Sequence, residues 1–486
     1  ILRTLAKPEA VDRLERRGLL EEARGDRALM VRPSHPLYGE ILRHDIPVSR
    51  ADGIRLRLAA AVEASGSKRA DDMLRIATWL MSSNATGRPE LFTEAAGRAL
   101  ALCDYLLAEK LARAAIHAGA RLDGSFLLSR ALIGEAKFEQ AEELLADLTA
   151  EPAADAQRAG ATLMRAFNLV WDLGRPDEAL EVLATAEGSV PDPALRTALT
   201  AARASHLVFT GRFAEARDVS TPLLEGSLDS PSVLLDTLTG IGVPLSYCGQ
   251  PDAALRLLDQ HRDRIQVALP TLPHGPVWLL TYQLVGYLLA GKLFEGEALM
   301  DRAHQDALTH GPDWLGGYTQ GCLGAVLGSQ GRVHSAARLL REAVALISEA
   351  NVGGQLPGFQ AELARCFALQ GDAAGAQRML DAAEAGRLPG ERFFDGWLAR
   401  VRVWIAVARG EVTQAARLAL ESADDLGQRG WRSQQAIALH DAARLGRANA
   451  VAVSLAKVAG ESDSRLVQAY AHHARARATR GGNALD

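Results

Sequence analysis

From about residue 92 to residue 480, apolar residues recur three and four positions apart. They come in short stretches broken by small-residue or polar turns. That spacing places them on one face of a helix, and pairs such as Leu144-Leu145, Leu257-Leu258 and Leu339-Leu340 sit in such stripes. Alternating Val, Ile and Thr, the mark of half-buried strands, is scarce. The best strand candidate is Ala28-Leu-Met-Val-Arg32. The pattern predicts an almost wholly helical chain built of short helical hairpins.

The breaks repeat one another. A small residue, a variable one, an apolar residue or Pro, two more, and Ala recur as Ala136-Lys-Phe138-Glu-Gln-Ala141, Gly174-Arg-Pro176-Asp-Glu-Ala179 and Gly211-Arg-Phe213-Ala-Glu-Ala216. Gly249-Gln-Pro251-Asp-Ala-Ala254, a looser Gly291-Lys-Leu293-Phe-Glu-Gly296, Gly331-Arg-Val333-His-Ser-Ala336, Gly371-Asp-Ala373-Ala-Gly-Ala376 and Gly410-Glu-Val412-Thr-Gln-Ala415 continue the series. Weaker copies begin at Cys103 and Gly446, and the interval from one copy to the next stays nearly constant. Each part has a physical reason. Glycine takes the left-handed conformation that closes a helix, Pro is free of cost at a first turn, and Ala lets two helices approach closely. One hairpin cannot bury its own stripe, but stacked hairpins can. The expected architecture is an all-α, right-handed superhelix of nine or ten helix pairs over residues 92–480. It resembles the tetratricopeptide repeat, with units stretched beyond that repeat's usual length and without its regular Trp and Tyr.

The first 90 residues read differently. Pro8 to Gly18 is a helix with a glycine stop, Arg24-Gly-Asp26-Arg a polar turn, 28–32 an extended segment, and Ser34 to Arg43 a second helix. Helix, turn, wing and helix suggest the C-terminal part of a winged-helix domain over 1–48, followed by a helical linker over 49–91. Residues 481–486 read as a linker.

Composition removes several classes. With 48% hydrophobic and 23% charged residues, the chain can build a core. A net charge of -5 provides no field favouring a nucleic-acid backbone. The four cysteines, Cys103, Cys248, Cys322 and Cys366, form no CxxC pair, which points to free thiols in a reducing compartment. No uncharged apolar run is long enough to span a bilayer, so the expectation is a cytoplasmic protein without a membrane partner. No GxxxxGK[ST], HExxH or GxSxG motif is present, and the expectation is that the chain is not an enzyme, with no catalytic residues, metal or cofactor of its own.

The run Leu14-Glu-Arg-Arg-Gly18-Leu19-Leu20, then Val31-Arg-Pro-Ser34-His35-Pro36-Leu37-Tyr38-Gly-Glu40-Ile41-Leu42, with Arg55-Leu-Arg-Leu-Ala59, resembles large ATP-binding LuxR-type transcriptional regulators of the STAND class. The resemblance implies an N-terminal ATPase using ATP and Mg, a winged helix, a helical-repeat sensor and a C-terminal helix-turn-helix. This chain would hold only the middle, with ATP and DNA contacted through domains outside it. His35, Leu37 and Tyr38 would then pack between domains.

Candidate binding residues come from the aromatics. A stack of helix pairs presents a concave face lined by the first helix of each pair. Trp278 and Tyr282 fall on one such helix, Trp314 and Tyr318 on the next, and Phe393, Phe394, Trp397 and Trp404 on a later one. Trp314 and Tyr318, like Phe393 and Trp397, are four apart and share a face. Packing between helices explains such pairs as readily as recognition does. Trp278, Tyr282, Trp314, Tyr318 and Trp397 are the residues expected to meet a small-molecule or protein effector in the groove. The loops 269–276 and 351–358 flank this region. His472-His473 and the acidic pairs Asp71-Asp72 and Asp424-Asp425 read as helix-end and surface groups. The leading expectation is a sensor region of an ATP-dependent regulator. The alternative is a scaffold binding a protein partner, including a second copy of itself.

Overall fold

The computed structural model describes residues 5–25, 28–66, 72–83, 87–151, 154–226, 228–269, 272, 275–348 and 354–482. The chain forms two compact units, Ile1–Ala153 and Ala154–Asp486.

The first unit opens with the helix Pro8–Arg16, the antiparallel strands β1 (Leu20–Gly25) and β2 (Ala28–Pro33), and the helix Pro36–Asp45. Leu20 faces Pro33, Glu22 faces Val31, and Arg32 pairs with Glu21 at 2.6 Å. The strand expected at 28–32 is present. Its partner carries Leu-Glu-Glu-Ala-Arg-Gly, residues with little intrinsic strand preference, so hairpin pairing decides its conformation. Asp26 and Arg27, in the expected turn, lie outside the described residues, as do Asp71 and parts of the loops 269–276 and 351–358. His35 caps the helix Pro36–Asp45, its Nδ1 accepting the Leu37 N–H at 3.2 Å. Helices Val48–Ala64 and Asp72–Ser82 and two pairs, Pro89–Ala101 with Tyr105–Ala118 and Arg121–Gly134 with Phe138–Ala150, complete the unit. Ile76, Phe92, Leu111 and Leu132 form its core. Glu109 bridges Arg113 at 2.7 Å and Lys137 at 2.8 Å, and those cations hold its carboxyl down at about 2.

Among the described residues, the second unit stacks eight further pairs. Their first helices include Pro193–Phe209, Pro231–Tyr247, Gly275–Ala290, Asp313–Ser329, Leu356–Leu369, Asp395–Ala408 and Arg432–Ala442, and Arg465–Gly482 closes the series. The chain is therefore predominantly α-helical, a TPR-like helical-repeat fold with a small N-terminal two-stranded sheet.

The recurring motif is the turn inside each pair. Gly211, Gly249, Gly291, Gly331, Gly371 and Gly410 all have φ between +72° and +103°. The N–H of the following residue reaches back five positions to close the first helix, as in Arg212 to Leu207 O (2.9 Å), Arg332 to Leu327 O (3.0 Å) and Glu411 to Ala406 O (2.9 Å). Ala136 adopts φ +57° in the same role, a strained conformation for a residue with a Cβ. The motif's third residue begins the second helix each time, and the closing alanines Ala141, Ala179, Ala216, Ala254, Ala336, Ala376 and Ala415 are fully buried. In the loose copy a Cβ on Gly296 would lie 3.1 Å from that of Tyr287, so only a very small residue fits there.

The candidate binding surface on the inner face of the second unit

The inner helices bring aromatics from distant repeats together. Trp171 meets Phe209 with centroids 4.6 Å apart and Trp278 at 4.9 Å. A second group joins Tyr247 to Phe213 at 4.5 Å, Phe393 at 5.4 Å and Trp431 at 5.4 Å. Two neighbouring cavities remain between them, of about 30 Å³ and 50 Å³, and Thr281, Gln355, Phe393 and Phe394 line both. Each has room for water-sized occupants only. The walls are apolar apart from groups such as Ser205, Thr239, Glu362 and Glu391.

Trp278 lies on the wall of the first cavity and Trp397 on that of the second, both half-buried. Trp397 donates its indole N–H to the Tyr247 hydroxyl at 3.2 Å, and that hydroxyl donates to Phe393 O at 3.0 Å. Tyr282 is fully buried against the first cavity, donating to Ala254 O at 2.9 Å. Tyr318 is buried beneath the neighbouring helix, donating to Val277 O at 3.1 Å, with Thr281 Oγ1 at 2.5 Å. Burial pushes the phenols of Tyr247, Tyr282 and Tyr318 up, so all three stay neutral. Trp314, half-buried, packs on the cluster around Tyr318 and lines neither cavity. The inner face thus gathers Trp278, Tyr282 and Trp397 around the cavities and leaves Trp314 and Tyr318 to the adjoining core. Leu37 and Tyr38, in the first unit, are 50% and 41% exposed. Phe393 and Phe394 precede the helix Asp395–Ala408 instead of lying on it, because Leu388-Pro389-Gly390 delays its start.

Trp171, Phe209 and Glu391 also line the first cavity, and buried Tyr247 and Trp431 back it. They lie at helix ends and in connections, where helical spacing gives no sign of them. Glu391, 4% exposed, accepts from Phe394 N at 3.0 Å and from Arg387 Nε at 3.1 Å, and burial pushes its carboxyl up against these partners. Deeper along the inner face, buried Asp441 accepts from Arg400 Nε (3.0 Å), Trp404 Nε1 (3.2 Å) and Arg444 Nη1 (3.2 Å). Arg365 pairs with Glu362 at 2.6 Å. Arg402 pairs with Glu384 at 2.5 Å, and Arg409 donates to Gln377 at 2.9 Å, so these arginines are engaged in internal bonds.

What closes the face is contact across the superhelix. Ser462 Oγ donates to Gly249 O at 2.7 Å, Asp463 accepts the N–H groups of Asp252 (3.1 Å) and Ala253 (2.9 Å), and Ser464 Oγ donates to Leu289 O at 2.7 Å. Asp463 thereby caps a helix 211 positions earlier in the chain. Arg392 N donates to Phe209 O at 3.1 Å, and Trp431 lies against Gly211. Loops of the later repeats dock in order on turns of the earlier ones.

His473 Nδ1 lies 2.9 Å from His440 Nε2, and among the described residues no three His, Cys, Asp or Glu side chains gather to hold a metal. No described helix is long and apolar enough to cross a membrane. Cys322 and Cys366 are buried, Cys248 is half-buried and Cys103 exposed, all free.

Paired helices with glycine-closed turns and alanine seams define a TPR-like helical-repeat fold. No family model matches the chain, and no curated protein matches it in sequence. Among solved structures, it is similar to a Rap protein complexed with competence and sporulation factor, at 12% identity over 81% of this chain and 99% of that one, TM-score 0.40. It is also similar to the APC/C hetero-tetramer Cut9–Hcn1, at 13% identity over 87% and 96%, TM-score 0.34. A tetratricopeptide repeat protein from Parabacteroides merdae aligns at 17% identity over 57% and 98%, TM-score 0.34.

Proposed function

We propose that the chain is a helical-repeat scaffold that recognises a partner protein on the inner face of its second unit. The observation that carries this is the convergence of Trp171, Trp278, Trp397, Phe393 and Phe394 on two adjoining apolar cavities. Aromatics gathered around apolar cavities provide large contact area with few degrees of freedom to lose. A photo-crosslinking amino acid at position 278, tested in the native host, should capture a defined partner. The same group at Val412, exposed on an outer helix, should not. Crosslinks to the same partner from Val412 and none from 278 would overturn the reading.

A second reading is favoured by one observation. The Leu14–Leu20 and Val31–Leu42 segments that resemble LuxR-type regulators form a helix, a hairpin and a helix, as a winged-helix remnant would. In that reading the repeats are the cytoplasmic sensor region of an ATP-dependent regulator, and effector binding biases ATPase and DNA-binding domains outside this chain. Isolating the complete gene product and testing it for effector-dependent ATP hydrolysis decides it; a product that binds no nucleotide removes it.

A further inference from the structure

The connection 386–394 is the longest wholly described stretch without regular structure between two helices of the second unit. Turns within pairs are far shorter, whereas this one runs into the interior. Two turns fold it, Glu391 N donating to Leu388 O at 3.1 Å and Asp395 N to Arg392 O at 3.0 Å, and they send three of its last four side chains inward. Glu391 is 4% exposed, Arg392 points to solvent, and Phe393 is 7% exposed, with Phe394 also at 7%.

The contacts come from several separate repeats. Leu388 packs with the Trp171 cluster, and Pro389 lies against Gly174, where a Cβ would come within 2.5 Å of its Cδ. Arg392 N donates to Phe209 O, and Phe393 O accepts from the Tyr247 hydroxyl. The Phe394 ring covers Gly358, where a Cβ would meet its Cε1 at 2.5 Å. One backbone N–H and one C=O are therefore held by groups of two other helices, with the Phe393 ring between these bonds and the Phe394 ring just after them. A peptide bound in a repeat groove is likewise held through backbone hydrogen bonds and side-chain pockets. Both cavities share Phe393 and Phe394 as lining, so the rings are the partition between them.

Resting on the reading of the inner face as the recognition surface, we propose that Leu388–Phe394 is a built-in occupant of that surface. The partner that replaces it is a peptide segment carrying two adjacent aromatic residues. Tyr247 offers such a peptide a donor for a carbonyl, and Phe209 O an acceptor for an N–H, the two groups the loop now uses. The segment acts as an intramolecular competitor, and binding requires it to swing out.

The test uses the full chain with Phe393→Ala/Phe394→Ala, the milder Phe393→Leu/Phe394→Leu, and a synthetic heptapeptide of the loop's own sequence, Leu-Pro-Gly-Glu-Arg-Phe-Phe. The peptide should bind the alanine variant at least tenfold more tightly than the wild type and raise its melting temperature. A control peptide with both Phe replaced by Ala should do neither. If the alanine variant does not fold, the leucine variant serves, and peptide should raise hydrogen exchange at residues 388–394. A folded variant that ignores the peptide overturns the proposal. So does peptide binding to the wild type as tightly as to the variant, or without faster exchange at 388–394. That last result leaves inner-face recognition standing, whereas failure of the position-278 crosslink removes the recognition reading itself.

Discussion

The turn glycines look alike in sequence but answer to different demands, and this can be measured. At Gly331 (φ +85°), Gly371 (φ +85°) and Gly410 (φ +81°) a Cβ would meet nothing within 4 Å, so only the left-handed backbone asks for glycine. At Gly211 (φ +72°) a Cβ would lie 2.7 Å from Trp431 Cζ2 and 3.0 Å from Arg392 Cβ. At Gly291 (φ +75°) it would lie 2.6 Å from Leu466 Cβ. For Gly331→Ala, the left-handed penalty of about 1–2 kcal/mol is offset by about 0.4–1 kcal/mol of lost unfolded-state freedom, leaving about 1 kcal/mol. Gly211→Ala and Gly291→Ala add overpacking of about 1–3 kcal/mol, because buried Trp431 and half-buried Leu466 press on these turns. Urea denaturation followed by circular dichroism, with tryptophan fluorescence as a second probe, compares them. Gly211→Ala and Gly291→Ala should lose about 2–4 kcal/mol in all, clearly more than Gly331→Ala and Gly410→Ala. Equal losses across the four would refute the claim that later loops press on the earlier turns.

Asp441→Ala should destabilise by about 3–5 kcal/mol, since it leaves Arg400 charged and without its carboxylate; urea titration checks this, and a loss under about 1 kcal/mol would contradict the buried pairing. Burial pushes the Asp236 carboxyl up to about 7, with its Ser205 hydrogen bond opposing. A raised folded pKa gives stability that is complete below the unfolded value near 4 and lost as pH rises towards 7. Asp236→Asn should therefore melt higher than wild type at pH 8, with the gap narrowing by pH 4, and an unchanged gap would refute it. Tyr247→Phe should cost about 1–3 kcal/mol by orphaning Phe393 O and the Trp397 N–H, read by chemical denaturation and by hydrogen exchange in 388–394.

The helix pairs and their turns were legible because one local rule, glycine then a first-turn residue then alanine, is written in contiguous residues. Trp278 and Trp397 were also legible as inner-face aromatics. Trp171 and Trp431 were not, since one ends a first helix and the other precedes one, and Phe393 was read onto a helix although it sits in the loop before Asp395. What brings these three into one region is the winding of the repeats, a long-range property with no period along the chain. The same limit hides the difference between Gly211 and Gly331. Both read as helix stops, and only the fold reveals that one of them is also a socket. In the hairpin at 20–33, Leu20–Gly25 shows pairing overriding a helix-favouring composition.

Asp463, reaching back 211 positions to cap the helix that begins at Pro251, has a consequence for how this protein can vary. An open array of repeats tolerates duplication or loss of a unit, because each touches only its neighbours. Here the loop at 462–466 must arrive opposite Gly249 and Gly291, and Trp431 opposite Gly211. Adding or deleting a single helix pair between them would offset every later loop by a whole step, setting each against the wrong socket. The number of repeats between position 211 and position 466 is thus a fixed count, and homologous arrays that share this closure should differ in loop length long before they differ in that number.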